Sequence, residues 1–296
     1  MFRHVIVGVD GRPAGRDAIA LARMLVEPGG HLTLGHVHEL TAIRAVSGGF
    51  DDAAREASTR LLEQERDATG VEAELISVAA SSAGRGLHEL VESENADLLV
   101  VGSCARGFAG RVLLGNDTRA SLNGASCAVA VAPLGYADQP APITTVGVGY
   151  DGSPESESAL ALARALASQH DATVRALDVV QLPTMGYGGY AGAGLGTVLE
   201  DLLADASARL AALDGVDGEA LLGLAAEELA AFAARVDLLV VGSRGYGPLR
   251  RVILGSTSTH LASHTRCPLL VLPRLAGNAA AGQTSTDAGR STSTTA

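Results

Sequence analysis

The sequence contains no lysine: all 22 basic residues are arginine, against 33 Asp and Glu, and the formal charge is −11. That absence excludes a Walker-type phosphate lysine and a Schiff-base lysine outright. The acidic balance argues against a nucleic-acid partner, whose phosphates call for a basic stripe. Cysteine is scarce, odd in number and scattered (Cys104, Cys127 and Cys267), so a disulfide framework is not expected. No apolar run reaches membrane-spanning length without a charge or a glycine break. The opening MFRHVIVGVD reads as a strand rather than a signal peptide. These absences leave a cytoplasmic protein with no membrane span as the expectation.

What is present is a repeat. DLLVVGS occurs at 97–103 and again at 237–243; RVLLGN (111–116) matches RVILGS (251–256), and CAVAVAP (127–133) matches CPLLVLP (267–273). HVIVGVDG (4–11) and LTLGHVHEL (32–40) match TVGVGYDG (145–152) and VRALDVVQL (174–182) in the same order. One ancestral domain has been copied, giving domains at 1–140 and 141–275 with the boundary in GYADQPAPI (135–143). The end, 276–296, is low in complexity, has nothing to bury and is expected to be disordered.

Within copy one, short Val/Ile/Leu runs at about 4–9, 31–37, 71–78, 97–102 and 127–132 alternate with helical stretches at 16–25, 51–68 and 84–96. Continuous runs such as DLLVV and AVAV suit strands covered on both faces, as in a parallel sheet. RDAIALARML sets Ala18, Leu21, Ala22 and Leu25 on one helical face. Copy two repeats the plan with a glycine-rich insertion at 185–196 and, by expectation, a shorter third strand and helix. The fold class is therefore α/β: two tandem domains, each a five-stranded parallel sheet with helices on both faces.

In open parallel sheets, ligands sit beyond the carboxyl ends of the strands where strand order reverses. Glycine and polar residues cluster there in both copies. Strand one ends in VGVDG (7–11) or VGYDG (148–152), and strand four ends in VVGS. Gly255-Ser256-Thr257 then opens the last helix of copy two. A helix start flanked by hydroxyls offers amides to an anion without any lysine, so these features suggest phosphates held by backbone N–H and Ser/Thr groups.

Gly242-x2-Gly245-x9-Gly255-Ser256 resembles the G-x2-G-x9-G-[S/T] motif of the ATP-binding branch of the universal stress protein family. The strand-one Asp, the strand-two Val of DVV or HVH, and the closing CPLLVLP are similar to that family too, and the likeness runs over residues 1–275. The resemblance implies a Rossmann-like (adenine nucleotide α hydrolase-like) fold and an ATP ligand, with Mg²⁺ as its companion. It places Gly149, Asp151, Gly152 and Val179 at the ribose and adenine. Gly242, Ser243, Arg244, Gly245, Arg251, Gly255, Ser256 and Thr257 fall at ribose and phosphates. In copy one the equivalents are Gly8, Asp10, Gly11, Val37, Gly102, Ser103, Gly107, Arg111, Gly115 and Asn116. Copy one departs where Ala105 replaces Gly245 and Asn116 replaces Ser256, which implies a weaker or partly degenerate first site.

Plainer readings stand beside these. Asp151 in DGSP is good turn and helix-cap chemistry, which is compatible with ligand contact. The glycine patterns beginning at Gly147 and Gly186 are decoys, since a dinucleotide fingerprint needs strand, turn and helix in succession. His260 and His264, four apart with Cys267 beyond, are read as surface or helix-end histidines rather than zinc ligands. Cys127 and Cys267 are expected to be buried as small apolar side chains, whereas Cys104 falls in the ligand loop. No base, nucleophile or carboxylate pair recurs in both copies, so catalysis is not expected beyond slow hydrolysis or self-phosphorylation. Three functions follow: a nucleotide-dependent sensor of stress or dormancy acting on an unidentified protein partner, an interaction protein with vestigial pockets, or a slow ATPase or autokinase. The resemblance also implies that the apolar last strands pair, making an internal pseudo-dimer; further homodimerisation is left open.

Overall fold

The computed structural model describes residues 2–39, 49–103, 116–181, 195–243, 252 and 255–273. The first half runs β1 (Phe2–Gly8), α1 (Pro13–Leu25), β2 (Val26–Glu39), α2 (Gly49–Thr69), β3 (Glu74–Ala80), α3 (Ala83–Ser93), β4 (Leu98–Gly102), α4 (Asn116–Leu122) and β5 (Ala128–Ala132). The second runs β6 (Thr145–Gly149), α5 (Pro154–His170), β7 (Thr173–Val180), α6 (Leu195–Ala211), β8 (Val216–Leu222), α7 (Ala225–Phe232), a 3-10 turn (Ala233–Arg235), β9 (Leu238–Gly242), α8 (Ser256–His264) and β10 (Leu269–Leu272).

The strands form one ten-stranded sheet in the order β3-β2-β1-β4-β5-β10-β9-β6-β7-β8. Each half is parallel throughout. The halves meet where β10 runs antiparallel to β5, Leu270 facing Ala130. Two apolar strands that would otherwise be bare edges thus cover each other.

Alternation along the strands divides the core into two layers. Val5, Val7, Leu98, Val100, Val146, Val148, Leu238 and Val240 pack on one face with Ile19 and Leu25 of α1, Leu62 of α2, Leu160 of α5 and Leu210 of α6. Ile6, Leu99, Val129, Leu239 and Val271 pack on the other with Leu87 of α3, Phe232 of α7 and Leu261 of α8. Ala18, Leu21, Ala22 and Leu25, set on one face by their spacing, are all buried. Ser153 caps α5 by accepting from the Ser156 amide at 3.2 Å. Pro154 at its start and Glu155 and Glu157 in its first turn suit the N-terminal end of a helix.

Two sequence expectations need correction. The third strand of copy two is not shorter: β3 and β8 have 7 residues each, and only the helix contracts, from 11 to 8. β2 begins at Val26 rather than 31, because Val26 pairs with Phe2 before the register shifts and Gly29 (φ +80°) absorbs the extra residues. Copy two lacks that EPGG segment. The tail 276–296 and nearly all of the glycine-rich insertion lie outside the described residues.

Candidate functional site

In each half the chain steps outward from the first strand and then returns to its other side, so order reverses between β1 and β4 and between β6 and β9. Ligand crevices form at such points, and a cavity sits at each. The cavity of the second half is about 600 Å³, within the usual range for small-molecule sites. It gathers Gly149, Asp151, Val179, Gly242, Ser243, Gly255, Ser256 and Thr257 from the ends of β6, β7 and β9 and the start of α8. Gly152 does not line it: with φ +78° it forms the turn, and a side chain there would meet Arg209 Cδ at 2.8 Å. Arg244, Gly245 and Arg251 lie outside the described residues.

The turn after β6 builds the polar rim. Tyr150 N donates to Leu177 O at 2.9 Å, extending the ladder by one bond. Asp151 Oδ1 accepts from Ser153 N at 3.0 Å, and Ser156 Oγ accepts from Asp151 N at 3.3 Å. Asp151 is therefore the turn former its sequence context suggested, and it also faces the cavity. Partial removal from water works against its charge, but the hydrogen bonds from Ser153 and Ser156 outweigh that and hold the carboxyl below its usual value. Behind the rim, the Tyr150 hydroxyl donates to Glu157, and burial followed by that bond pushes the phenol up to about 12. Arg209 donates to Asp178 at 2.8 Å, which raises the guanidinium pKa further.

On the opposite wall, Gly255 caps α8 and the first helical bond runs from Thr259 N to Gly255 O at 3.0 Å. The amides of Ser256, Thr257 and Ser258 precede it and have no partner within the helix. Ser243 lines the same cavity; it is 5 % exposed, and its hydroxyl, itself buried, has no hydrogen-bond partner among the described residues. A buried orphan hydroxyl is uncommon and calls for an explanation.

Gly242 has a packing reason for being glycine. A Cβ there would lie 2.7 Å from Glu155 Cβ and 2.9 Å from Glu155 O, so the first turn of α5 sits directly on the strand end. Gly102 is tighter still, 2.0 Å from Ala14 O. Gly8 and Gly149 likewise yield to Leu87 and Leu229. The sequence reading assigned these glycines to ligand approach; at Gly102 and Gly242 helix-on-strand packing already requires them. The sequence also missed Glu155, Leu177, Gln181 and Leu229. Glu155 was available as the first-turn acid after DGSP, but Leu229 comes from α7 and had no local signal.

In the first half Gly8, Asp10, Val37 and Gly102 line a cavity of about 90 Å³ together with Thr118. Gly11 (φ +72°) turns away against Leu61, as Gly152 does against Arg209. Ser103 is 1 % exposed and outside the lining, with a hydroxyl orphaned like that of Ser243. Asp10 accepts from Arg12 N at 3.1 Å and pairs with the Arg12 guanidinium at 3.6 Å. Gly107, Arg111, Gly115 and Ala105 lie outside the described residues; Asn116 begins α4, and its side chain is likewise outside them.

The decoy at Gly147 runs within β6, where Phe232 Cε1 would stand 2.8 Å from any Cβ. His260 and His264 stack at 3.9 Å along α8. Among the described residues, no group of three or more His, Cys, Asp and Glu gathers as a metal site. Cys127 and Cys267 are buried, and burial pushes each thiol up to about 12. Among the described residues, no helix is long and apolar enough to cross a membrane.

Comparison with known proteins agrees with this architecture. A sequence model described as the universal stress protein family matches residues 1–133 and again 142–273. A universal stress protein of Mycobacterium tuberculosis strain H37Rv is 29% identical over 235 residues, spanning 75% of this chain and 77% of that protein. A second from the same strain is 29% identical over 236 residues, 75% and 78% of the two chains. Among solved structures, a universal stress protein from Archaeoglobus fulgidus superposes with a TM-score of 0.62 at 20% identity, covering 91% of this chain and 98% of that one.

Proposed function

The chain belongs to the universal stress protein family, and on that premise we propose that it binds ATP in its C-terminal pocket and acts as a nucleotide-dependent regulator. One observation carries the reading. A cavity of about 600 Å³ at the strand-order switch is lined by the start of α8, whose first amides have no partner within the helix, and by Ser243, whose buried hydroxyl has no hydrogen-bond partner among the described residues. Hydrogen-bond donors without partners beside a helix N-terminus suit phosphate oxygens. Gly242, Ser243, Gly255, Ser256 and Thr257 would hold phosphates and ribose, and the family resemblance adds Arg244, Gly245 and Arg251 to that set. Val179, Leu177 and Leu229 offer the apolar side an adenine ring needs.

The described lining carries carboxylates at Asp151 and Glu155 and no basic residue. A triphosphate entering against those charges is favoured as its Mg²⁺ complex, since carboxylates are the oxygen donors a hard cation takes. The first half, with its small cavity and with Asp10 engaged by Arg12, binds the nucleotide more weakly or serves as a vestigial pocket. We place the two domains at 1–140 and 141–275 and the protein in the cytoplasm, answering stress through a protein partner.

Calorimetric titration of the full chain with Mg·ATP tests the reading. One dominant site per chain is expected, weakened about a hundredfold by the double substitution Ser256→Ala/Thr257→Ala, the loss of two hydrogen bonds to charged oxygens of about 1.5 kcal/mol each. No heat from the unaltered chain refutes it.

A further inference from the structure

We infer that the C-terminal pocket is positioned by the N-terminal half: the turn Gly124–Ala125 holds Val252, just ahead of the start of α8. The inference rests on the nucleotide reading of that pocket and adds to it a dependence on the other repeat. Val252 lies three residues before Gly255. Its amide donates to Ala125 O at 2.8 Å, and its carbonyl accepts from the Gly124 amide at 2.9 Å. The two bonds close a reciprocal clamp between chain segments from different repeats. Val252 and Ala125 are each 0 % exposed, in the same core layer as Leu261 of α8 and Cys267. Buried backbone bonds of this kind are not exchanged for water without cost.

The N-terminal side of the clamp is itself fixed. Thr118 Oγ1 on α4 donates to Gly102 O at 2.9 Å, and Asn123 N donates to Arg119 O at 3.1 Å. The His88 ring nitrogen Nε2 lies 2.8 Å from Ser121 O, tying α3 to the same helix. α4 is thereby moored to its own sheet and to α3, and the turn that follows it reaches across to Val252. A mooring three residues upstream of a helix cap limits where the amides of Ser256, Thr257 and Ser258 can point. Hydrogen bonding to phosphate depends steeply on that direction. Val252 is thus a positioning residue, and Gly124–Ala125 is the part of its site that a single repeat cannot supply.

Gly124 provides the handle. Its φ is +96°, and an added Cβ would meet the His88 ring, Cε1 at 3.5 Å and Nδ1 at 3.8 Å, both ordinary contacts. Gly124→Ala therefore strains the clamp turn without a clash. Gly70 is the matched control: φ +61°, nothing within 4 Å of the added carbon, and no part in the clamp. Both variants of the full chain would be measured by hydrogen exchange without ligand and by calorimetry with Mg·ATP.

In Gly124→Ala, the Val252 amide, which is bonded to Ala125 O, is expected to exchange several-fold faster than in Gly70→Ala. Mg·ATP affinity should fall about fivefold relative to that control, about 1 kcal/mol at 1.4 kcal/mol per tenfold. A purely structural glycine would lower the melting temperature in both variants and leave exchange at Val252 and affinity alike. That result, or faster exchange with unchanged affinity, overturns the inference. If the unaltered chain binds no nucleotide while exchange still responds only to Gly124→Ala, the clamp stands and the ATP reading falls.

Discussion

Replacing Ser243 by alanine should make the ligand-free protein more stable and a poorer nucleotide binder. The Ser243 amide donates to Leu272 O at 3.0 Å, and alanine keeps that bond. Only the hydroxyl is lost, from a residue 5 % exposed with no partner for its Oγ among the described residues. A buried polar group left unsatisfied costs about 1–3 kcal/mol. Deleting it forfeits a few dispersion contacts of about 0.1–0.2 kcal/mol each. The net is a gain of about 1 kcal/mol, which for a chain of this size moves the melting temperature up by roughly 2 °C. With Mg·ATP the balance reverses: losing one hydrogen bond of about 0.5–1.5 kcal/mol weakens binding about two- to tenfold. Scanning calorimetry of the ligand-free variant and isothermal titration of the same preparation give both quantities. Ser103→Ala is the internal comparison, since its hydroxyl is orphaned in the same way in the first half. It should stabilise the protein and leave C-terminal affinity unchanged. A ligand-free Ser243→Ala protein that is less stable by 1 kcal/mol or more, or one that binds Mg·ATP as before, refutes the reasoning.

Three more expectations follow from particular contacts. The folded-state pKa of Asp151 is depressed, so its contribution to stability is present above its unfolded value of about 3.9 and disappears as pH falls through the folded one. Asp151→Asn should flatten the stability–pH curve at its acid end, and urea titrations between about pH 2 and 5 would show whether it does. Cys127 and Cys267, with thiols near 12, should resist alkylation in the native protein at pH 8 and react only on unfolding; fast labelling of either residue by mass spectrometry contradicts that. Asp17, 2 % exposed, accepts from Gly135 N at 2.9 Å and Ala137 N at 2.8 Å, tying the linker between the repeats to α1. Asp17→Ala should cost about 3–6 kcal/mol for two charge-assisted bonds, measured by urea denaturation.

Much of the fold is legible because its signals are local. The apolar runs at 97–102 and 127–132 become β4 and β5 nearly residue for residue, since strands buried on both faces must be continuously apolar. α1 shows its buried stripe in its spacing. The start of β2 was misplaced because a glycine bulge breaks the period. At the site, strand ends and the helix start were readable from glycine and hydroxyl punctuation. The reason for the glycines was not, because Ala14 and Glu155, which crowd Gly102 and Gly242, owe their nearness to helix docking. Leu229 and Phe232 reach the first-strand glycines from another layer of the fold, a distance no local window spans.

The sequence by itself determined that this is a duplicated α/β chain with a Gly-Ser-Thr helix start and no lysine to meet an anion, since repetition, periodicity and composition are properties of the chain alone. The pairing of the last strands was already implied by the family resemblance; tertiary structure alone decided its register, Leu270 facing Ala130, and that Val252 is held by Gly124 and Ala125. It also left the second cavity at about 600 Å³ while the first narrowed to about 90 Å³. Those outcomes depend on which distant backbones and side chains come to share a space, and packing settles that only when the whole chain has folded.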